Sequence, residues 1–325
     1  MTISLGAFLL PLAAAAAVAP DENPTTDFGP LVIQSQAPLQ TTGLTPMLHD
    51  PFSLQEGQTD LFASATFGSV WASTPEYTFD YYHNQFLAGF IRAHSSTQRY
   101  GVWLQYRYAA NNRLDGVTKK FHNIFGIEQN GRTDVEEDRF YIDAPQLNGK
   151  PATDFVGDAL LSAINLYGEQ QLFQNAHHAL SLGVTLFFNR VNHGVFTHTS
   201  FEQALQANYG YQQEKHRLTA SVSLTHRPDK PQHFVQVEPW GISAGVSYRY
   251  RLFKHHELVG EYLLSQGKAK NPQLSDLTKP VHEFAYGYRY LFGNSALELV
   301  ALENMFNHDN STDIVFSATF RHRFL

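Results

Sequence analysis

The chain has 325 residues, a formal net charge of −7 and no cysteine. These values exclude disulfides, thiolate catalysis, Cys-ligated metal sites and a lipid-modified N-terminal cysteine, and they supply no basic footprint for nucleic acid. Aromatics are plentiful (Phe 25, Tyr 16) although the mean hydropathy is only −0.30, as expected where apolar and polar residues alternate.

The first twenty residues, "MTISLGAFLLPLAAAAAVAP", read as an export signal over residues 1–19. An apolar core from Ile3 to Ala14 precedes small residues suited to cleavage after Ala17 or Ala19. Pro20 would follow the second cut directly, which favours Ala17. A membrane anchor is the competing reading, but the run is short and contains Pro11. No later window approaches the ~18 apolar residues of a spanning helix. Residues 20–58 then form an N-terminal periplasmic or lumenal segment ahead of a barrel over 59–325.

From there the pattern is period two. Strands are predicted near 60–71, 84–94 and 100–110, joined by a loop at "STPEYTFDYYH" and a short turn at "SSTQR". Next comes an insertion over about 111–155, whose "RLDGVTKKFHNIFG" places Val117, Phe121, Ile124 and Phe125 at helical spacing. That predicts a short amphipathic helix ended by Gly126, either a surface loop with a small core or a plug over the lumen. Within it, "DRFYIDA" is either a spanning strand or part of the insertion. Alternation resumes in "LSLGVTLFFNR", "FEQALQANYGYQ", "RLTASVSLTHR", "WGISAGVSYRYR" and "EFAYGYRY", and it closes with "DIVFSATFRHRFL". Short connections at "FQNAHH", "EKHR", "LFKHH" and "FGNS" alternate with longer ones, as in barrels with short periplasmic turns and long outer loops. The count is twelve strands if the insertion contributes none.

Sidedness follows from residue type. One face of these segments is Ser, Thr, Gly, Asn and Gln. The other is apolar and ends in Tyr209–Tyr211, Tyr248–Tyr250 and Tyr288–Tyr290, suited to the aromatic girdles of a membrane barrel. The fold class expected is therefore all-β, a transmembrane antiparallel up-and-down barrel of about twelve strands with one large extracellular insertion. Its last strand should pair with the first, around "DLFASATFGSVW", because closure removes both edges. Phe316, Phe320 and Phe324 resemble the C-terminal sorting signal of Gram-negative outer-membrane proteins, although Leu325 follows the terminal aromatic.

"GPLVIQSQAPL", the "LDG…FHNIFGI…NGR" insertion and the barrel after it resemble a domain-of-unknown-function family of exported Gram-negative proteins expected to form outer-membrane barrels. The resemblance implies the architecture and the outer membrane, and carries no catalytic residues.

Candidate functional residues are few. His198 and Ser200 in "FTHTSF" offer a weak pair for a lipid-modifying enzyme, without a third member, so no catalytic set is assigned. His177–His178 and His255–His256 sit in turns, and no metal or cofactor is assigned. Arg107, Glu169, Glu202, Arg217, Arg249, Glu261, Glu283, Arg289, Glu298, Arg321 and Arg323 are expected in the lumen. Two outcomes stay open: these charges cross-pair and fill the barrel, or they leave a narrow polar channel. The leading functional expectation is a narrow or gated pore for small polar solutes; the alternatives are a lipid-modifying enzyme and a closed structural or partner-binding barrel. Expected partners are outer-membrane lipid, including lipopolysaccharide, and the outer-membrane assembly machinery.

Overall fold

The computed structural model describes residues 27–52, 55–113, 115–126, 131–144, 151–228, 231–232 and 235–324. The leader expected over 1–19, with cleavage after Ala17 or Ala19, lies outside them, as does Leu325. In chain order the elements are β1 (Thr59–Ser73), β2 (Thr78–Ala93), β3 (Gln98–Ala110), α1 (Asp115–Phe125), β4 (Tyr141–Asp143), β5 (Ala159–Gln174), β6 (His178–Val191), β7 (His198–Gln213), β8 (His216–His226), β9 (Pro231–Gln232), β10 (Val235–Gln236), β11 (Trp240–Phe253), β12 (His256–Ser265), β13 (Val281–Phe292), β14 (Ser295–Phe306) and β15 (Ile314–Phe324).

Twelve of these strands form one antiparallel barrel, in the order β1-β2-β3-β5-β6-β7-β8-β11-β12-β13-β14-β15. β1 pairs with both β2 and β15, from Thr59 opposite Phe324 to Ser69 opposite Ile314, so the sheet has no free edge in the wall. The barrel strands run 10–16 residues, long enough to cross a bilayer at a tilt. Outside the rim-side ends of β1 and β2, which are buried on both faces, the alternation holds: Val184, Leu205, Val222 and Ile242 point outward and are exposed, whereas Thr185, Gln206, Ser221 and Ser247 point inward and are buried. This is a transmembrane barrel of the outer-membrane type.

Apart from the four-residue link 74–77 at the far end, the connections are segregated by length. Turns at residues 94–97, 175–177, 214–215, 254–255 and 293–294 lie at one end with the start of β1 and the end of β15. At 293–294 the first turn residue is Gly293 with φ +52°, a conformation that suits glycine in a two-residue hairpin. Longer connections all lie at the opposite end. The longest, 111–158, carries α1, a 3-10 turn at Arg132–Asp134 and β4.

One expectation needs correction. The loop "STPEYTFDYYH" is mostly strand, because β2 starts at Thr78 and only residues 74–77 connect it to β1. Of the two readings of "DRFYIDA", the one that leaves it in the insertion holds: β4 is three residues long and adds to the start of β2, above the wall. Helix α1 does end at Gly126, in the left-handed region with φ +67°.

Candidate functional site

Residues 27–52 do not run along the outside of the barrel. Their side chains are nearly all buried, and their contacts trace a hairpin inside the lumen. The segment enters at the short-turn end, where Asp27 meets Arg249 and lies 3.2 Å from Arg217. It rises to a 3-10 turn at Gln40–Thr42, where Lys268 Nζ donates to Leu39 O at 3.1 Å and Arg107 donates to Thr41 O. It then descends until Asp50 meets Arg249 and Gln171 Nε2 donates to Pro51 O at 2.8 Å. Both arms therefore open toward the end where β1 begins.

The segment forms no strand of its own, so its peptide groups must find partners elsewhere. The wall supplies them. Four inward glutamates accept backbone N–H groups: Glu261 from Leu31 at 2.8 Å, Glu298 from Val32 at 3.5 Å, Glu283 from Gln36 at 2.9 Å and Glu202 from Leu44 at 3.0 Å. Wall cations take carbonyls in the same way. Arg289 donates to Gly29 O and Arg321 to Pro30 O, both at 2.8 Å, while Arg323 reaches Asp27 O and Arg99 reaches Asp50 O. Apolar side chains fit where the wall has none: a Cβ at Gly287 or Gly245 would sit 2.8 Å from Leu31 or Leu48 respectively. His49 stacks on Tyr167 with ring centroids 4.0 Å apart.

Of the eleven charges expected in the lumen, nine are buried, and Arg217 and Arg323 are half-buried at the short-turn end. The eleven pair with one another only in part: Arg289 with Glu298 at 2.7 Å, and Arg321 with Glu298 at 3.3 Å. Glu169 pairs with Arg99, which sequence reasoning missed, as it missed Glu257 beside Arg289, Asp60 beside Arg323, and Arg227 at 3.3 Å from Glu202. Cross-pairing alone does not fill the interior; the inserted segment does. A cavity of about 570 Å³ remains at the short-turn end, between the two arms and a wall that includes Asp60, Phe62, Ile91, Arg99, Arg321 and Arg323.

The long-loop end is covered by a second layer. Leu39 at the tip of the segment packs in an apolar cluster with Tyr77, Phe79, Ile142, Phe155, Phe196, Leu274 and other residues of the strand ends and the connections. Arg132 fastens the 111–158 connection to the rim. It is buried, pairs with Asp115 and Asp313, and donates to Ser69 Oγ at 2.8 Å and Tyr82 Oη at 3.1 Å. Of the expected plug residues, Val117 is half exposed on α1; the side chains of Phe121, Ile124 and Phe125 lie outside the described residues. The chain that occupies the lumen is the N-terminal segment. Of the two places expected for residues 20–58, periplasm or lumen, one signal could have chosen the lumen: residues 28–48 contain no Asp, Glu, Lys or Arg, and Asp27 and Asp50 bracket them.

His198 and Ser200 sit inside the rim but turn to different partners. Ser200 Oγ donates to Glu202 at 3.0 Å, while the His198 ring nitrogens lie 2.8 Å from Phe196 O and 2.7 Å from Thr42 O. Each serves the wall or the segment. Phe320 and Phe324 point outward and exposed on β15, and Phe316 lies in the same row, half-buried.

A family model described as protein of unknown function (DUF3187) matches residues 7–324. Among solved structures, the chain is similar to the COG4313 outer membrane channel from Pseudomonas putida F1, with 10% identity and a TM-score of 0.57, covering 86% of this chain and 100% of that one. The NanC porin (6% identity, TM-score 0.45, 82% and 100% covered) and the P. putida toluene transporter TodX (10%, 0.40, 85% and 93%) are more distant in shape. At such identities the likeness concerns the fold. No curated protein matches the chain.

Proposed function

We propose that this chain, which belongs to the DUF3187 family of proteins of unknown function, is a gated outer-membrane pore for small polar solutes, closed in this structure by its own N-terminal segment. The observation that carries the reading is the way residues 28–50 fill the lumen. They hold to a charged wall through separable hydrogen bonds and ion pairs, and they contribute no strand to the barrel. Withdrawn, they would leave an interior lined by buried arginines, glutamates, serines and glutamines, a surface fit for water and polar solutes. The cavity at the short-turn end is the part of that passage already open.

The outward apolar rows would face lipid, with lipopolysaccharide on the long-loop side. The Phe316, Phe320 and Phe324 row would be read by the outer-membrane assembly machinery. Two barriers lie in series, the lumenal hairpin and the lid fastened by Arg132, so both must be tested. In planar bilayers the intact protein should be mostly closed. Deleting residues 28–50 should give steady conductance, and combining the deletion with Arg132→Ala should raise it further. Closing the intact protein permanently with a thiol crosslink between Leu48→Cys and Gly245→Cys is the converse test. No current from the deletion, the Arg132 variant or the two combined would refute the pore.

A further inference from the structure

The contacts between wall and segment are made mostly to the backbone of the segment. Glu202, Glu261, Glu283 and Glu298 accept peptide N–H groups, and Arg99, Arg107, Arg289, Arg321 and Lys268 donate to peptide carbonyls. Gln206 adds Met47 O at 2.9 Å, and Gln171 adds Pro51 O. Few of these bonds would change if the side chains of residues 28–48 were replaced by others of similar size and no charge. Glycines at 245 and 287 leave room for whatever apolar side chain falls opposite them. The lumen thus reads a main chain, as β-augmentation does, but through ionisable side chains in place of a strand edge.

We infer that the open lumen is a track for short, extended, weakly charged peptides, and that residues 28–50 occupy it as a tethered stand-in. This deepens the pore reading by naming its solute class and rests on that reading for passage, though not for binding. Carboxylates alone would favour cations, and guanidinium groups alone would favour anions. An alternating array of both suits an uncharged polymer that offers donors and acceptors in turn, and the polypeptide backbone is such a polymer. The absence of Lys, Arg, Asp and Glu between Asp27 and Asp50 fits the same requirement, since a formal charge on the occupant would meet the opposite sign at one level and its own sign at the next.

Binding is tested apart from conduction. The 28–50 deletion is refolded in detergent. Where it does not fold, the full chain carrying a protease site at exposed Gln55–Glu56 is cut after folding so that the segment can exchange. Fluorescence anisotropy is read with three synthetic peptides: the 27–51 sequence, a scramble of it between the two aspartates, and the native peptide N-methylated at Leu31, Val32, Gln36 and Leu44. The first two should bind within a few fold of each other, and the methylated one at least about tenfold more weakly. Failure of the scramble to bind, or indifference to methylation, would overturn the inference. Current without peptide binding removes the peptide track and leaves the pore. Peptide binding without any current removes the pore and leaves the track. Entry of the scramble into liposomes bearing the deletion variant completes the case, and exclusion of it while current flows would restrict the track to closing the barrel.

Discussion

Glu298 shows how much one wall side chain carries. Arg289, Arg321 and the Val32 amide all converge on its carboxylate. Removing a single member leaves buried charge without its partner, typically a loss of several kcal/mol. Residues of this kind were legible because an Arg or Glu in a period-two segment has only the lumen to face. What they bind was not, because for the glutamates the partner is a peptide group 158 to 266 residues away in sequence. His49 gives this site a testable pH response. Burial holds its ring down to about 4, with Glu169 opposing and Arg99 and Arg321 reinforcing the shift. A released imidazole titrates near 6.5, so the inserted state has its full stability above that pH. It loses stability as pH falls from 6.5 to 4, by up to about 3 kcal/mol for this group. Channel opening should therefore rise with acid across that window, and His49→Phe, which keeps a ring on Tyr167, should flatten the rise. An equal rise in both proteins would remove His49 as the sensor.

Strands were legible wherever lipid lay on one side and the lumen on the other, since that contrast alone imposes alternation. The start of β2 escaped because Tyr77, Phe79 and Tyr81 pack beneath the lid while their neighbours also lie buried, which erases the polar half of the pattern. The hairpin form of the N-terminal segment, expected only as periplasmic or lumenal, escaped for a related reason: buried on all sides, it has no period at all. At the short-turn end a repeated device appears. His178, His216 and His256, near the starts of β6, β8 and β12, place Nδ1 2.8, 2.7 and 2.6 Å from the hydroxyls of Tyr209, Tyr248 and Tyr288. This ties each turn to an outward aromatic at the edge of the apolar belt. The belt itself is tested at β8. Val222, 57% exposed on the outer face, should not tolerate arginine. Val222→Arg should cost roughly 2–4 kcal/mol in refolding titrations into lipid vesicles. Ser221, beside it, is buried and donates to Asn208 Oδ1 at 2.7 Å. Ser221→Arg would crowd the inserted segment and should raise conductance at a smaller cost to refolding. Greater damage to refolding from Ser221→Arg would mean the two faces are reversed.

On the scale of the molecule, the two ends differ in kind. One has tight turns, the opening of the lumenal hairpin and the remaining cavity; the other has every long connection, α1 and the apolar lid. Barrels of this type are threaded with turns toward the periplasm and loops outward, which would place the open mouth of the hairpin inside the cell envelope and the lid outside. The sequence carried this asymmetry in its connection lengths, independent of which residues fill the barrel. A gate drawn from the periplasmic side and a lid facing the exterior would let the two barriers respond to different compartments. The orientation is testable because the chain has no thiol of its own. Cysteines at Lys270, exposed in the 266–280 connection, and at Asn294, exposed in the turn between β13 and β14, would be treated with a membrane-impermeant maleimide on intact cells. Lys270→Cys should label at once and Asn294→Cys only after the outer membrane is permeabilised. Labelling of Asn294→Cys alone on intact cells would invert the barrel, moving the hairpin's mouth to the outside and making the lid the periplasmic barrier.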